Sequence, residues 1–269
     1  MKKILELSSN KGSCIWAEFE ECLKTAGNIA FWWRDDDVSA REPKFIDLPY
    51  LKYKYRLGKM LSLLSKYNIP SVFAVIPKDF SRWGTTLAGI LKKYNVYIAL
   101  HGINHVNNSA DNTVTEFPDD CNVEAAVKII LEHQKDFSDI FGNNLLPVFV
   151  PPFNNICEQL ESELLKRGFT AVSKSNMGLV KHDAHNIDID FVNWRTRALK
   201  DEEAILKEII TLIRRGVKVI GLNAHHSRVR QYGFKFFNKL FATVEKFNNV
   251  EWIMPFDNTA AQAKAQRKN

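Results

Sequence analysis

The feature that most constrains the fold of this chain is an alternation. Eight short apolar runs of strand length are separated by longer stretches of helical periodicity. The runs are NIAFWWR (28–34), PSVFAVIP (70–77), VYIALH (96–101), LLPVFVP (145–151), FTAVS (169–173), IDIDFVNW (187–194), VKVIGLNAH (217–225) and VEWIMPF (250–256). Between them, YRLGKMLSLLSKY puts Leu57, Met60, Leu61 and Leu64 on one face, and NVEAAVKIILEHQKDF does the same with Val123, Val127, Ile130 and Leu131. EEAILKEIITLIRR follows Asp201, a residue suited to capping a helix N-terminus. Strands alternating with helices predict parallel βαβ units. An open nucleotide-type sheet would carry a glycine-rich first turn, whereas the first run here ends in RDDDV, with no glycine. The expected fold is therefore α/β: an irregular (β/α) barrel of seven or eight strands. No Gly- or Pro-rich linker interrupts it, so residues 1–269 read as one domain. Residues 1–27 read as a helical extension, with Ser13 as its cap and Ile15, Trp16, Phe19 and Leu23 on its apolar face. Residues 257–269 read as a frayed, disordered tail.

Composition narrows the function classes. The net charge of +6 is spread along the chain, and the aromatics do not alternate with basic residues as a nucleic-acid-binding stripe would. Nucleic acid is excluded as the expected partner. The four cysteines, Cys14, Cys22, Cys121 and Cys157, have no CxxC spacing and read as free thiols. No window approaches the ~18 apolar residues of a membrane span, and the N-terminal apolar stretch is broken by Glu6, so the expectation is a cytoplasmic protein.

Polar residues recur where the runs end. Asp35, Asp36 and Asp37 close the first run, HGINH (101–105) the third and PPFNN the fourth; Trp194 and Arg195 close the sixth, and His225 and His226 the seventh. In a barrel those ends converge on one face, where active sites are built. His101 and His105 have the i, i+4 spacing of one helical turn, close enough to share a metal ion. One aspartate with two histidines is a facial ligand set for Zn²⁺ that leaves positions open for water and substrate. The bland alternative has the aspartates in salt bridges with Arg34 and Arg195 and the histidines merely closing turns.

WRDDDV, HGINH, VPPFN and LNAHH, in that order over residues 28 to 256, resemble the polysaccharide deacetylases, the NodB-homology proteins of carbohydrate esterase family 4. The resemblance implies roles. Asp36 is the general base. Asp37, His101 and His105 hold Zn²⁺ or another divalent ion such as Co²⁺, Ni²⁺ or Mn²⁺. His225 is the general acid, with His226 the second register. From their strand-end positions, Phe153 and Trp194 read equally as an apolar floor for a sugar ring or as core packing, and Asn154, Asn155, Arg195 and His226 as polar groups facing the substrate; main-chain N–H groups near Phe153 would stabilise the oxyanion. One departure stands out: Val150 occupies the position of the arginine that orients the catalytic aspartate in the family, leaving Arg34 and Arg195 as replacements. The implied activity is metal-dependent removal of acetyl groups from N- or O-acetylated carbohydrate, a hydrolysis of linear C–N bonds. A catalytically silent carbohydrate-binding protein on the same barrel and a metal hydrolase of non-sugar amides are the alternatives.

Overall fold

The computed structural model describes residues 2–40, 48–80, 84–94 and 96–256; the expected disordered tail lies outside them. Each of the eight apolar runs holds a strand. In chain order these are β1 (Ile29–Val38), β2 (Ser71–Val75), β3 (Val96–His101), β4 (Leu145–Val150), β5 (Ala171–Val172), β6 (Ile189–Asp190), β7 (Val192–Asn193), β8 (Ala198–Leu199), β9 (Val219–Ala224) and β10 (Val250–Trp252). The helices are α1 (Lys2–Thr25), α2 (Leu48–Lys66), α3 (Gly84–Leu91), α4 (Val123–Phe141), α5 (Glu158–Lys166), α6 (Glu202–Arg214) and α7 (Gln231–Val244). α6 is capped as its sequence predicts, the Asp201 carboxylate accepting from the Ala204 N–H at 2.8 Å. α1 runs through Ser13 instead of starting there.

The strands form a curled, all-parallel sheet in the order β5-β4-β3-β2-β1-β9-β6. β10 pairs with the first residues of β1, on the edge that β2 takes further along. The two ends of the path meet through a single parallel bridge, Ser175 to Ile187, reinforced by Ile187 N–H to Lys174 O (3.0 Å) and Asn176 N–H to Ile187 O (2.8 Å). This is the expected (β/α) barrel in irregular form, seven strands around with one weak seam.

Period-two side-chain alternation sorts the core into two layers. Trp32, Val72, Ala74, Ala99, Leu146, Val148 and Val150 fill the barrel interior. Phe31, Trp33, Phe73, Leu100, Phe149, Ile220 and Leu222 face outward under the helices. Trp33 packs edge-on against Phe237 and Phe241 at 5.2 and 5.3 Å between ring centroids. Both β1 tryptophans are fully buried, so they are core and not sugar platforms.

The run 187–194 does not form one strand. The Asp190 carboxylate accepts from the Val192 N–H at 2.8 Å, a side-chain turn that ends β6 and starts the separate β7–β8 hairpin. All four cysteines are free thiols. Cys121 and Cys157 face each other at 3.5 Å, and burial together with that contact pushes the Cys121 pKa up to about 12. Among the described residues no helix is long and apolar enough to cross a membrane.

Candidate metal centre

The three adjacent aspartates belong to β1 itself, which extends to Val38. Alternation sends Arg34 and Asp36 into the barrel and Asp35 out of it. Asp37 should follow Asp35 outward, but the register against β2 shifts between Asp35 and Val38, and Asp37 has a φ of 59°. This bulge lets neighbouring carboxylates serve the same mouth. Left-handed backbone at a non-glycine residue costs about 1–3 kcal/mol and persists only where the surroundings enforce it. Of six such residues among those described, four are at this mouth: Asp37, His105, Phe153 and Asn154.

Asp37 meets both histidines of HGINH. His101 Nε2 lies 3.3 Å and His105 Nε2 2.9 Å from the same oxygen, Asp37 Oδ1. The pair is not on a helical turn, as the spacing suggested. His101 ends β3, and a tight bend through Gly102 (φ 66°) brings His105 back beside it. Glu116, buried and unnoticed in the sequence, holds that bend by accepting from the main-chain N–H groups of Ile103 (3.0 Å) and Asn104 (2.6 Å). A Cβ on Gly102 would stand 2.1 Å from Glu116 Oε2 and 2.4 Å from Pro152 Cγ, so only glycine fits. His101 Nδ1 sits 3.0 Å from the Val150 carbonyl, which can only accept, so Nδ1 donates there and Nε2 is the nitrogen that faces Asp37. One carboxylate oxygen and two imidazole nitrogens, all within 4.8 Å of one another, are a donor set that fits a divalent ion. Burial alone would raise the Asp37 pKa; hydrogen bonds from His101 and His105 hold it well below the usual carboxylate range. Burial likewise disfavours charge on His105, but Asp37 outweighs it and raises the His105 pKa.

Asp36 faces the same mouth from deeper in the barrel. Arg34, fully buried, places Nε and Nη2 each 2.8 Å from one of its oxygens. The guanidinium is fixed in turn by Ser173 O (3.0 Å), Ser173 Oγ (2.9 Å) and Asn154 Oδ1 (2.6 Å). Asn223 donates to Asp36 Oδ2 at 2.9 Å. Burial raises the Asp36 pKa, but Arg34, helped by His101 and His225, wins and lowers it. Of the two arginines the sequence offered as replacements for the missing one at Val150, Arg34 is thus the one beside Asp36. Arg195 lies exposed on the β7–β8 turn.

His225 closes the opposite side. Its Nε2 is 3.9 Å from Asp37 Oδ2 and its Nδ1 3.7 Å from Asp190 Oδ1. The Trp194 ring meets it edge-on at 4.7 Å and donates to Asp190 Oδ2 at 2.8 Å. Burial raises the Asp190 pKa, offset in part by His225. Phe153, 39% exposed, packs on His105 at 4.8 Å, so Trp194 and Phe153 flank the centre from two sides.

Two expected substrate contacts are engaged elsewhere. The Asn154 side-chain oxygen is committed to Arg34. His226 is fully buried behind the site, its Nδ1 2.6 Å from Asp35 Oδ1 and its N–H 3.2 Å from the same oxygen. It does not reach the mouth, because the residue after His225 on this turn points to the outer layer. Glu116, Asp190 and Asn223 join the site without having been singled out in the sequence. Asp190 alone had a signal there, as a carboxylate in the run that ends at Trp194.

A parallel β/α barrel with an Asp-His-His cluster, a buried arginine-held carboxylate and a third histidine at its C-terminal mouth is a barrel with a candidate metal site. The solved structures that it matches over most of the chain include polysaccharide deacetylases of carbohydrate esterase family 4 and a pseudoenzyme of that family. One, assigned as a polysaccharide deacetylase from Mycobacterium smegmatis, is 15% identical over 90% of this chain and 92% of its own, with a TM-score of 0.64. A family 4 carbohydrate esterase from Streptomyces lividans, solved with acetate, is 12% identical over 84% and 91%, with a TM-score of 0.50. A pseudoenzyme of the same family from Bacillus anthracis is 9% identical over 83% and 63%, with a TM-score of 0.55. At these identities the likeness establishes the fold. No protein-family model matches the sequence, and no curated protein does.

Proposed function

We propose that this chain is a metal-dependent hydrolase that removes acetyl groups from N- or O-acetylated carbohydrate. The observation that carries the reading is the pairing of two different aspartates at one mouth. Asp37 joins His101 and His105, while Asp36 stands apart from them, ionised by Arg34. A ligand and a base are separate jobs, and a site that only bound metal would have no use for the second.

Asp37, His101 and His105 would hold a divalent ion such as Zn²⁺, which would supply a Lewis acid and lower the pKa of water from about 15.7 to roughly 7. Asp36 takes a proton from the water that attacks the acetyl carbonyl, and Arg34 keeps that carboxylate charged and aimed. His225 gives a proton to the leaving amine as the C–N bond breaks, so acetate and a free amine result. Asp190 faces His225 Nδ1 and steadies the imidazolium, while Trp194 covers it against bulk water. Phe153 and Trp194 offer apolar faces to a sugar ring on either side.

The likeness to a pseudoenzyme supports a second reading, a silent carbohydrate-binding protein. Nothing would maintain a buried Arg34–Asp36 pair and a carboxylate-backed His225 in such a protein. Acetate release from acetylated amino sugars by the metal-loaded protein separates the two. Activity is expected, and Asp36→Ala should abolish it while keeping the metal. Turnover persisting in Asp36→Ala would remove Asp36 from the role of base, and a metal-loaded parent that releases no acetate from any acetylated sugar would leave the binding reading.

A further inference from the structure

Resting on the deacetylase reading, we infer that the acetylated sugar carries a phosphate-type anion, bound on the His225 side of the mouth. Arg195 and Arg197 lie on the turn between β7 and β8; Arg228 and Arg230 lie on the segment between β9 and α7. All four are exposed, and among the described residues none forms an ion pair with a carboxylate. The two segments adjoin: a Cβ on Gly233 would meet Leu199 of β8 at 2.8 Å and Val229 at 3.0 Å. Both also touch the proposed acid. Trp194, next to Arg195, packs on the His225 ring, and the Arg228 N–H donates to the His225 carbonyl at 2.8 Å.

Two other segments of the rim carry neither lysine nor arginine. From Gly102 to Asn122, after β3, there is no lysine or arginine, and Asp111, Asp119 and Asp120 are exposed. The turn from Pro151 to Cys157, after β4, has no charged residue at all. Four arginines therefore gather beside His225, while by the HGINH bend the exposed Lys78, its main-chain N–H 3.1 Å from the Ile103 carbonyl, stands near the acidic residues.

That gathering of arginines has a chemical consequence. His225 protonates the leaving amine, so the sugar lies on its side of the centre, and any anionic substituent of the sugar lies within the arginines' field. The guanidinium's planar fork matches phosphate oxygens, and four of them with no partner of their own are available to a ligand. An acetylated sugar 1-phosphate, or one linked through a diphosphate, has this shape and charge.

The test compares acetate release by the metal-loaded protein from N-acetylglucosamine, its 1-phosphate and a nucleoside-diphosphate-linked form, at 50 and 500 mM NaCl. The phosphorylated forms are expected to have at least tenfold higher kcat/KM at low salt, with the advantage shrinking at high salt as screening grows. In the double variant Arg197→Glu/Arg228→Glu the ratio should fall to about one. Equal kcat/KM for neutral and phosphorylated sugars, or an advantage that survives the double variant, would overturn the inference. Calorimetry of the nucleoside-diphosphate sugar with metal-loaded Asp36→Ala reads the anion site without chemistry, so a failure of deacetylation is distinguishable from a failure of this site. Binding that the arginine variant loses supports the site; no binding refutes it. Sedimentation with phosphatidylglycerol vesicles in place of soluble-sugar binding would place the phosphate on a lipid, and tighter binding of single-stranded oligonucleotide than of either would overturn the sugar assignment.

Discussion

Replacing Arg34 by methionine is the sharpest perturbation of this site, because it removes one partner of a pair that has no access to water. Both Arg34 and Asp36 are almost completely buried, and two nitrogens sit 2.8 Å from two oxygens. Removing one member of such a pair typically costs about 3–5 kcal/mol, since the other charge is left uncompensated. An unfolding entropy of about 2.1 cal/mol/K per residue implies roughly 0.56 kcal/mol/K for a chain of 269 residues. Tm should therefore fall by about 5–9 °C. The pH dependence gives the signature. In the parent, the Asp36 pKa is lowered, so its stabilisation is present above the unfolded value near 3.9 and is lost as pH falls through the folded value. Without Arg34, burial dominates and the folded pKa rises. The Asp36 contribution is then intact below about pH 3.9 and is lost as pH increases through the raised folded value. Thermal scans of both proteins from pH 4 to 8 should show a Tm gap that widens with pH, and Arg34→Met/Asp36→Asn should recover most of the loss. A gap that stays constant from pH 4 to 8, or a double variant no more stable than the single one, would show that Arg34 matters for packing and not for charge.

Other substitutions probe the parts around this pair. Gly102→Ala forces a Cβ to within 2.1 Å of Glu116 Oε2 at a φ of 66°, so the HGINH bend must open. Zinc affinity, read by competition with a chromogenic chelator, should weaken at least tenfold, and unchanged affinity would mean that the bend does not set the position of His105. Asp190→Asn tests the carboxylate behind His225. Burial raises its folded pKa, so its stabilisation is complete below about pH 3.9 and declines as pH rises. The stability of the variant relative to the parent should improve from pH 4 to 8 while acetate release falls; a relative stability that worsens over that range would contradict the assignment.

The fold was legible because the eight runs are rich in Val, Ile, Phe and Trp, which suit buried parallel strands. The Asp37–His101–His105 cluster was legible because Asp37 and His101 fall at strand ends and His105 just beyond one, where topology gathers them. Their local geometry was not. A β-bulge adds one residue without altering composition, so nothing in RDDDV announces that Asp37 turns inward. The i, i+4 spacing of His101 and His105 fits a helical turn as well as the glycine bend that is present, and Glu116, which holds the bend, is eleven residues beyond it. HH at 225–226 reads as one motif with two registers, yet only the pleat of the chain decides that His225 enters the mouth while His226 pairs with Asp35 behind it. Arg34 illustrates the same limit. Spacing put it beside Asp36 in the chain, but its reach across the barrel to Ser173 and Asn154 comes from tertiary structure.

The account depends most on Asp37, His101 and His105 acting together as ligands. Elemental analysis after zinc loading and exhaustive dialysis tests this directly, on the parent and on His101→Ala shown by circular dichroism to be folded. One ion per chain in the parent and none retained in the variant is the predicted result. A parent that retains no divalent metal, or a folded His101→Ala that retains as much as the parent, would contradict it.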